Sequence, residues 1–85
     1  MTYTVLLSHQ AEKFYKKLNK TPKDRVKEAL IKLQNKPHLG KALHGDLKGN
    51  YSIRIGKIRI IYSISEKNKT VYTIAIGPRK TIYQQ

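Results

Sequence analysis

YSIRIGKIRIIYSI, residues 51–64, holds two short alternating runs around a Gly-Lys pair. Tyr51, Ile53 and Ile55 alternate with Ser52 and Arg54; after Gly56-Lys57, Ile58, Ile60, Tyr62 and Ile64 alternate with Arg59, Ile61 and Ser63. A period of two on either side of a Gly-X pair predicts two antiparallel strands joined by a two-residue turn. With Gly56-Lys57 as the loop, Ile55 faces Ile58 and Arg54 faces Arg59. Side chains alternate across a strand. Tyr51, Ile53, Ile55, Ile58, Ile60 and Tyr62 therefore share an apolar face. Ser52, Arg54, Arg59, Ile61 and Ser63 share the opposite, open one.

Outward from the hairpin, Ser65 to Lys69 is a polar turn and Thr70 to Gly77 (TVYTIAIG) is a third strand, stopped by Pro78 and followed by a short tail. Before the hairpin, residues 38–49 form a loop punctuated by Gly40, Gly45 and Gly49. Further back lie two helical patterns. Ser8 reads as an N-cap, and Ala11, Phe14, Tyr15 and Leu18 follow at i, i+3, i+4, i+7. Asn19-Lys20 breaks that stripe. Thr21 is the expected cap of the second helix, with Pro22 at its first position and Asp24 in its first turn. Val26, Ala29, Leu30 and Leu33 form its apolar stripe, and Asn35 to Pro37 ends it. Tyr3 to Leu7 is a short β-prone run. The order is β-α-α-β-β-β. It predicts one α+β domain over residues 1–85, a helical hairpin packed on one face of a mostly antiparallel four-stranded sheet.

Eighty-five residues bury roughly 60% of the surface that the unfolded chain exposes, enough for one modest core. Eighteen Lys+Arg against five Asp+Glu give +13. That surplus repels itself unless a polyanion covers it: nucleic acid, an acidic protein or an anionic membrane. No apolar run approaches the ~18 residues of a membrane span. No signal-peptide core opens the sequence, so a cytoplasmic setting is expected. With no cysteine and no metal-like spacing around His9, His38 and His44, neither disulfides nor a metal site is expected. No cofactor motif is present, and the helices' apolar stripes are needed for the sheet rather than for a membrane.

Two arginines directly opposite one another destabilise a strand pair. At ~4 Å the repulsion is about 1 kcal/mol in water and about 4 kcal/mol at an effective dielectric of 20. The plain alternative is two solvated charges on an exposed face. The sharper reading is an anion held between two guanidinium forks, which match phosphate oxygens. Arginine usage favours a special role. Lysines number fourteen and arginines four, yet Arg54, Arg59 and Arg79 all lie on the sheet or just after it. Tyr83 in the tail either packs on the sheet or stacks on a base and moves a proton. Lys41, His44 and Lys48 sit in the loop before the sheet, where His44 is best read as structural. The helical lysines make a solvated face or a diffuse phosphate footprint.

LHGDLKGNYSIRIGKIRIIYSI (residues 43–64) and IAIGPRKTIY (residues 74–83) resemble segments of the RelE/ParE superfamily of type II toxin–antitoxin toxins. The first is similar to its Leu-Lys-Gly loop and its Tyr-x-Ile/Leu-Arg and Arg-Ile/Val-Ile-Tyr strands. The second is similar to its Gly-x-Arg…Tyr ending. The resemblance implies a ribosome-dependent endoribonuclease that cuts mRNA in the A site by attack of a ribose 2′-hydroxyl on the adjacent phosphate. It implies a cytoplasmic toxin neutralised by an acidic, RelB-like antitoxin, with the ribosome and mRNA as its other partners and no cofactor. Arg54, Arg59, Arg79 and Tyr83 match the family's catalytic positions, and Lys48, Ser52 and Lys80 are expected to contact RNA. Ser52 departs from a pattern in which relatives carry a second catalytic lysine. In this scheme the arginines stabilise the dianionic five-coordinate phosphorus. Surrounding positive charge favours the phenolate of Tyr83, making it the acid or base. Two alternatives stand beside this reading: a ParE-type inhibitor of DNA gyrase on the same fold, and a plain RNA-binding module without chemistry.

Overall fold

The hairpin forms in the expected register. In the computed structural model, which describes residues 2–80, β3 (Asn50–Ile55) and β4 (Ile58–Ser65) pair with Ile55 opposite Ile58, Arg54 opposite Arg59 and Tyr51 opposite Tyr62. Gly56 takes φ +60 while Lys57 keeps a negative φ, the combination a II′ turn requires. β1 (Thr4–Leu7), α1 (His9–Lys17), α2 (Lys20–Asn35), the two-residue β2 (Lys41–Ala42) and β5 (Thr70–Pro78) complete the fold. Among the described residues the sheet has five strands in the order β1-β5-β4-β3-β2. β1 runs parallel to β5 and the other pairs are antiparallel.

Two expectations change. The sheet has five strands rather than four, because Lys41 and Ala42 pair with Ser52 and Tyr51 inside what reads as a loop. Two residues are too few to show any period. The second helix begins two residues early. Its cap is Asn19, not Thr21, and Asn19 makes no side-chain cap bond; Asp24 pairs with Lys20 at 3.3 Å instead. Thr21 and Pro22 then occupy the first turn, where a missing N–H costs no helical bond. The first helix keeps its expected cap, since Ser8 Oγ accepts from the Ala11 N–H at 3.1 Å.

The core lies between the helices and one face of the sheet. Ala11 of α1, Val26, Ala29 and Leu33 of α2, Ile60 and Tyr62 of β4, and Val71 and Ile76 of β5 are buried there. Phe14, Tyr15, Leu18, Leu30, Ile53, Ile55 and Ile58 pack around them. These are the stripes read from the sequence, and truncating a residue such as Leu33 to alanine would cost about 2–5 kcal/mol.

β5 carries a bulge. Ile61 pairs with Ala75 but Tyr62 pairs with Thr73, which leaves Ile74 as the extra residue. β1 stops at Leu7 opposite Thr73, so among the described residues the outer edge of β5 beyond it has no strand partner. Side chains from the start of α1 take over. Ser8 Oγ donates to the Ile74 carbonyl at 2.6 Å. The Gln10 amide donates to the Ile76 carbonyl at 2.8 Å and accepts from the Ile76 N–H at 3.1 Å. Ser8 and Gln10 thus satisfy the buried backbone and fix the part of β5 that leads to Arg79.

Candidate functional site

The arginines meet at the hairpin end of the sheet. Arg54 on β3 and Arg59 on β4 are cross-strand partners. On its other side Arg59 pairs with Gly77 of β5, which has no side chain to crowd the guanidinium. Two residues further on, the Arg79 N–H donates to the Lys57 carbonyl at 2.9 Å, pinning the start of the tail to the turn. Lys57, Pro78, Arg79 and Lys80 line a cleft of about 270 Å³ beside that turn. Arg25 of α2 reaches the same end: a Cβ built on Gly56 would lie 3.7 Å from its Nη1. Three strands and a helix therefore deliver cations to one end of the sheet.

Ser52 is also part of this cluster. Its Oγ accepts a hydrogen bond from Arg59 Nη1 at 2.7 Å. Ser52 is only 3% exposed and Ile61 only 5%, so the face away from the helices is closed at its middle, contrary to its expected openness. Arg54 and Arg79 are exposed, and Arg59 is half-buried. Lys48 precedes β3 and so lies at the far end of that strand from the arginines. Tyr83 lies outside the described residues.

The register adds a residue that the sequence places only in a loop. Lys41 on β2 stands directly opposite Ser52 and is exposed. Directly opposed side chains in an antiparallel pair project to one face. Lys41 therefore joins the arginine face from the neighbouring edge strand. Only the pairing of β2 reveals this, and a two-residue strand leaves no periodic signal. Among the described residues, no group of three or more His, Cys, Asp or Glu side chains could hold a metal ion. No helix among them is long and apolar enough to cross a membrane.

The ion-paired acids are taken up by cations outside this cluster. Glu12 pairs with Lys16, Asp24 with Lys20 and Glu66 with His38, all exposed. The last belongs to a polar cluster at the turn between β4 and β5. Tyr3 Oη donates to Glu66 Oε2 at 2.8 Å, and His38 lies 3.2 Å from Glu66 Oε1 and 3.3 Å from the Tyr51 hydroxyl. The Tyr3 hydroxyl, with smaller help from His38 and Lys69, holds the Glu66 carboxyl below its usual range against some desolvation. The same bond pushes the Tyr3 phenol up. A lowered carboxyl stabilises the fold above its unfolded pKa, and this contribution is lost as pH falls through the folded value. Tyr3→Phe should move the Glu66 carboxyl back up, a shift that a carboxyl-carbon NMR titration would read directly.

Residues 5–85 match the family described as ParE-like toxin of type II bacterial toxin-antitoxin system. This chain belongs to the ParE-like toxin family. Toxin RelG of Mycobacterium tuberculosis is 31% identical to it over 91 residues, covering 100% of both chains. Toxin RelE of the same organism is 42% identical over 53 residues, 61% of this chain and 55% of that protein, so this match spans just over half of that relative. The toxin superimposes on the crystal structure of the RelBE2 toxin–antitoxin complex from M. tuberculosis with a TM-score of 0.83 and 30% identity, covering 93% of this chain and 100% of that one. For the archaeal RelE–RelB complex from Pyrococcus horikoshii the TM-score is 0.76 at 30% identity, with 93% and 97% covered. The RelE/ParE resemblance is thus correct, and the toxin has the RelE fold.

Proposed function

We propose that this toxin is a ribosome-dependent endoribonuclease that cleaves mRNA in the A site by attack of a ribose 2′-hydroxyl on the adjacent phosphate. The observation that carries the reading is the direct pairing of Arg54 with Arg59, with Arg79 pinned to the turn beside them. A cross-strand pair of like charges costs stability, and an anion between the two relieves the cost. The transition state is a dianionic phosphorus, which preorganised guanidinium groups stabilise as its charge develops. Arginine stays protonated and makes a poor base, so we assign proton transfer to Tyr83. Lys48 and Lys80 complete the proposed RNA contacts, whereas Ser52, expected to touch RNA, is 3% exposed and accepts from Arg59 instead; the ribosome supplies orientation of the message.

The +13 charge suits two partners. One is RNA, through the arginine face and the lysines. The other is an acidic RelB-like antitoxin, as in the complexes formed by the related toxins, covering the same charge with a segment that folds on binding. We read residues 1–85 as one toxin domain in the cytoplasm.

An in vitro translation reaction with mapped mRNA ends tests the reading. Wild type should give discrete cuts on ribosomes and none on naked RNA, and Arg79→Ala and Tyr83→Phe should abolish or sharply weaken them. Intact message from a protein that still arrests growth would reject the nuclease and direct the search to gyrase. Uniform tolerance of both changes would point to a binding module instead, since diffuse phosphate contacts survive single losses.

A further inference from the structure

We infer that Ser52 is a positioning residue that aims the Arg59 guanidinium at the scissile phosphate; the inference rests on the nuclease reading above. Ser52 pairs with Ile61, and Arg59 lies two residues from Ile61 along β4. Ser52 and Arg59 are therefore diagonal neighbours on one face, within reach of a long side chain. The register would otherwise set Arg59 against Arg54, whose like charge pushes the guanidinium into many splayed orientations. The Ser52 hydroxyl offers an acceptor off that line and takes Nη1 at 2.7 Å. A guanidinium is planar, so holding one nitrogen restricts the direction of the whole fork.

Two further features suit a support rather than a substrate contact. Ser52 is 3% exposed, so it does not present a surface to RNA, whereas Arg59 is only half-buried. It also sits in the middle of β3, paired on one side with β4 and on the other with β2, so its backbone is held from both edges. A supporting hydroxyl on a rigid strand is the arrangement that keeps a charged group preorganised. Alanine here would remove the acceptor, and lysine would add a third cation that repels Arg59.

The test uses the full chain with Ser52→Ala, Ser52→Thr, Arg59→Ala and the Ser52→Ala/Arg59→Ala double variant, in single-turnover cleavage on programmed ribosomes. Ser52→Ala should lower the maximal rate about tenfold, a loss of about 1.4 kcal/mol in transition-state stabilisation. The half-saturating ribosome concentration should stay within about twofold, because a misaimed charge loses catalysis rather than binding. Ser52→Thr, which keeps the hydroxyl, should restore most of the rate, and Ser52→Ala should cost nothing more once Arg59 is alanine. An unchanged rate in Ser52→Ala, or a full tenfold loss added to Arg59→Ala, would overturn the inference. Nitrogen-detected NMR of the Arg59 side chain gives a readout independent of cleavage: guanidinium rotation should be slow in wild type and faster in Ser52→Ala. A wild type that cuts nothing overturns the nuclease reading, and the NMR comparison then still decides whether Ser52 holds Arg59. Equal mobility in the two proteins rejects the inference by itself.

Discussion

Arg59→Ala should lower ribosome-dependent cleavage by about 10²–10³-fold at saturating ribosomes, the usual cost of removing one preorganised charge stabiliser from a transition state. Arg59 stands between Arg54 on one flanking strand and Gly77 on the other, and its guanidinium is held by Ser52. Affinity should change far less. One of eighteen basic residues is lost, which reduces the salt dependence of RNA binding by about one phosphate contact. Stability should not fall in step with activity either, because the substitution removes the like-charge opposition to Arg54. Arg59→Lys should recover only part of the rate, since an ammonium keeps the charge without the planar fork. Cleavage measured against ribosome concentration, beside a thermal melt, separates these effects. Loss of activity in proportion to a lowered melting temperature would make Arg59 a structural residue and remove it from the site.

How much of this was legible in the sequence depends on the range of the interaction. The hairpin register was legible because a Gly-X pair fixes the loop length, and the loop length fixes every opposing pair from Ile55 and Ile58 outward. The helical stripes and the Ser8 cap were legible for the same reason, since their partners lie within four residues. The parallel pairing of β1 with β5 was not, because its partners lie at opposite ends of the chain and nothing local encodes the direction. The bulge at Ile74 was hidden too: the Ser8 and Gln10 side chains that accommodate it are more than sixty residues away. In the site, Arg54 facing Arg59 followed from the turn alone. The closing of the face over Ser52 and Ile61, the approach of Arg25 to the turn, and Lys41 opposite Ser52 required the assembled sheet.

Gly40→Ala should be among the most destabilising single changes in this toxin, although the backbone there suits any residue (φ −76, ψ 174). The constraint is space. An added Cβ would lie 2.6 Å from Tyr62 Oη and 2.7 Å from the Ser52 carbonyl oxygen. Neither neighbour yields easily. Tyr62 is fully buried and stacked on Tyr51 at 5.6 Å, and its hydroxyl accepts from the Gly40 N–H at 2.9 Å and donates to the Pro37 carbonyl at 2.8 Å. Ser52 sits in the middle of β3. Relieving the clash breaks both hydroxyl bonds, at about 1–3 kcal/mol for each buried group left unsatisfied. For a domain of this size that lowers the melting temperature by roughly 10 °C or more. Tyr62→Phe should cost part of this by itself, and combining the two changes should cost less than their sum, because the phenyl ring lacks the oxygen that the new methyl strikes. Additive melting shifts would mean that the strand, not the ring, gives way. In either case cleavage measured well below the melting point reports on the site. Gly40→Ala should retain less activity than Tyr62→Phe at equal folded fraction, because it presses on the backbone of the residue that holds Arg59.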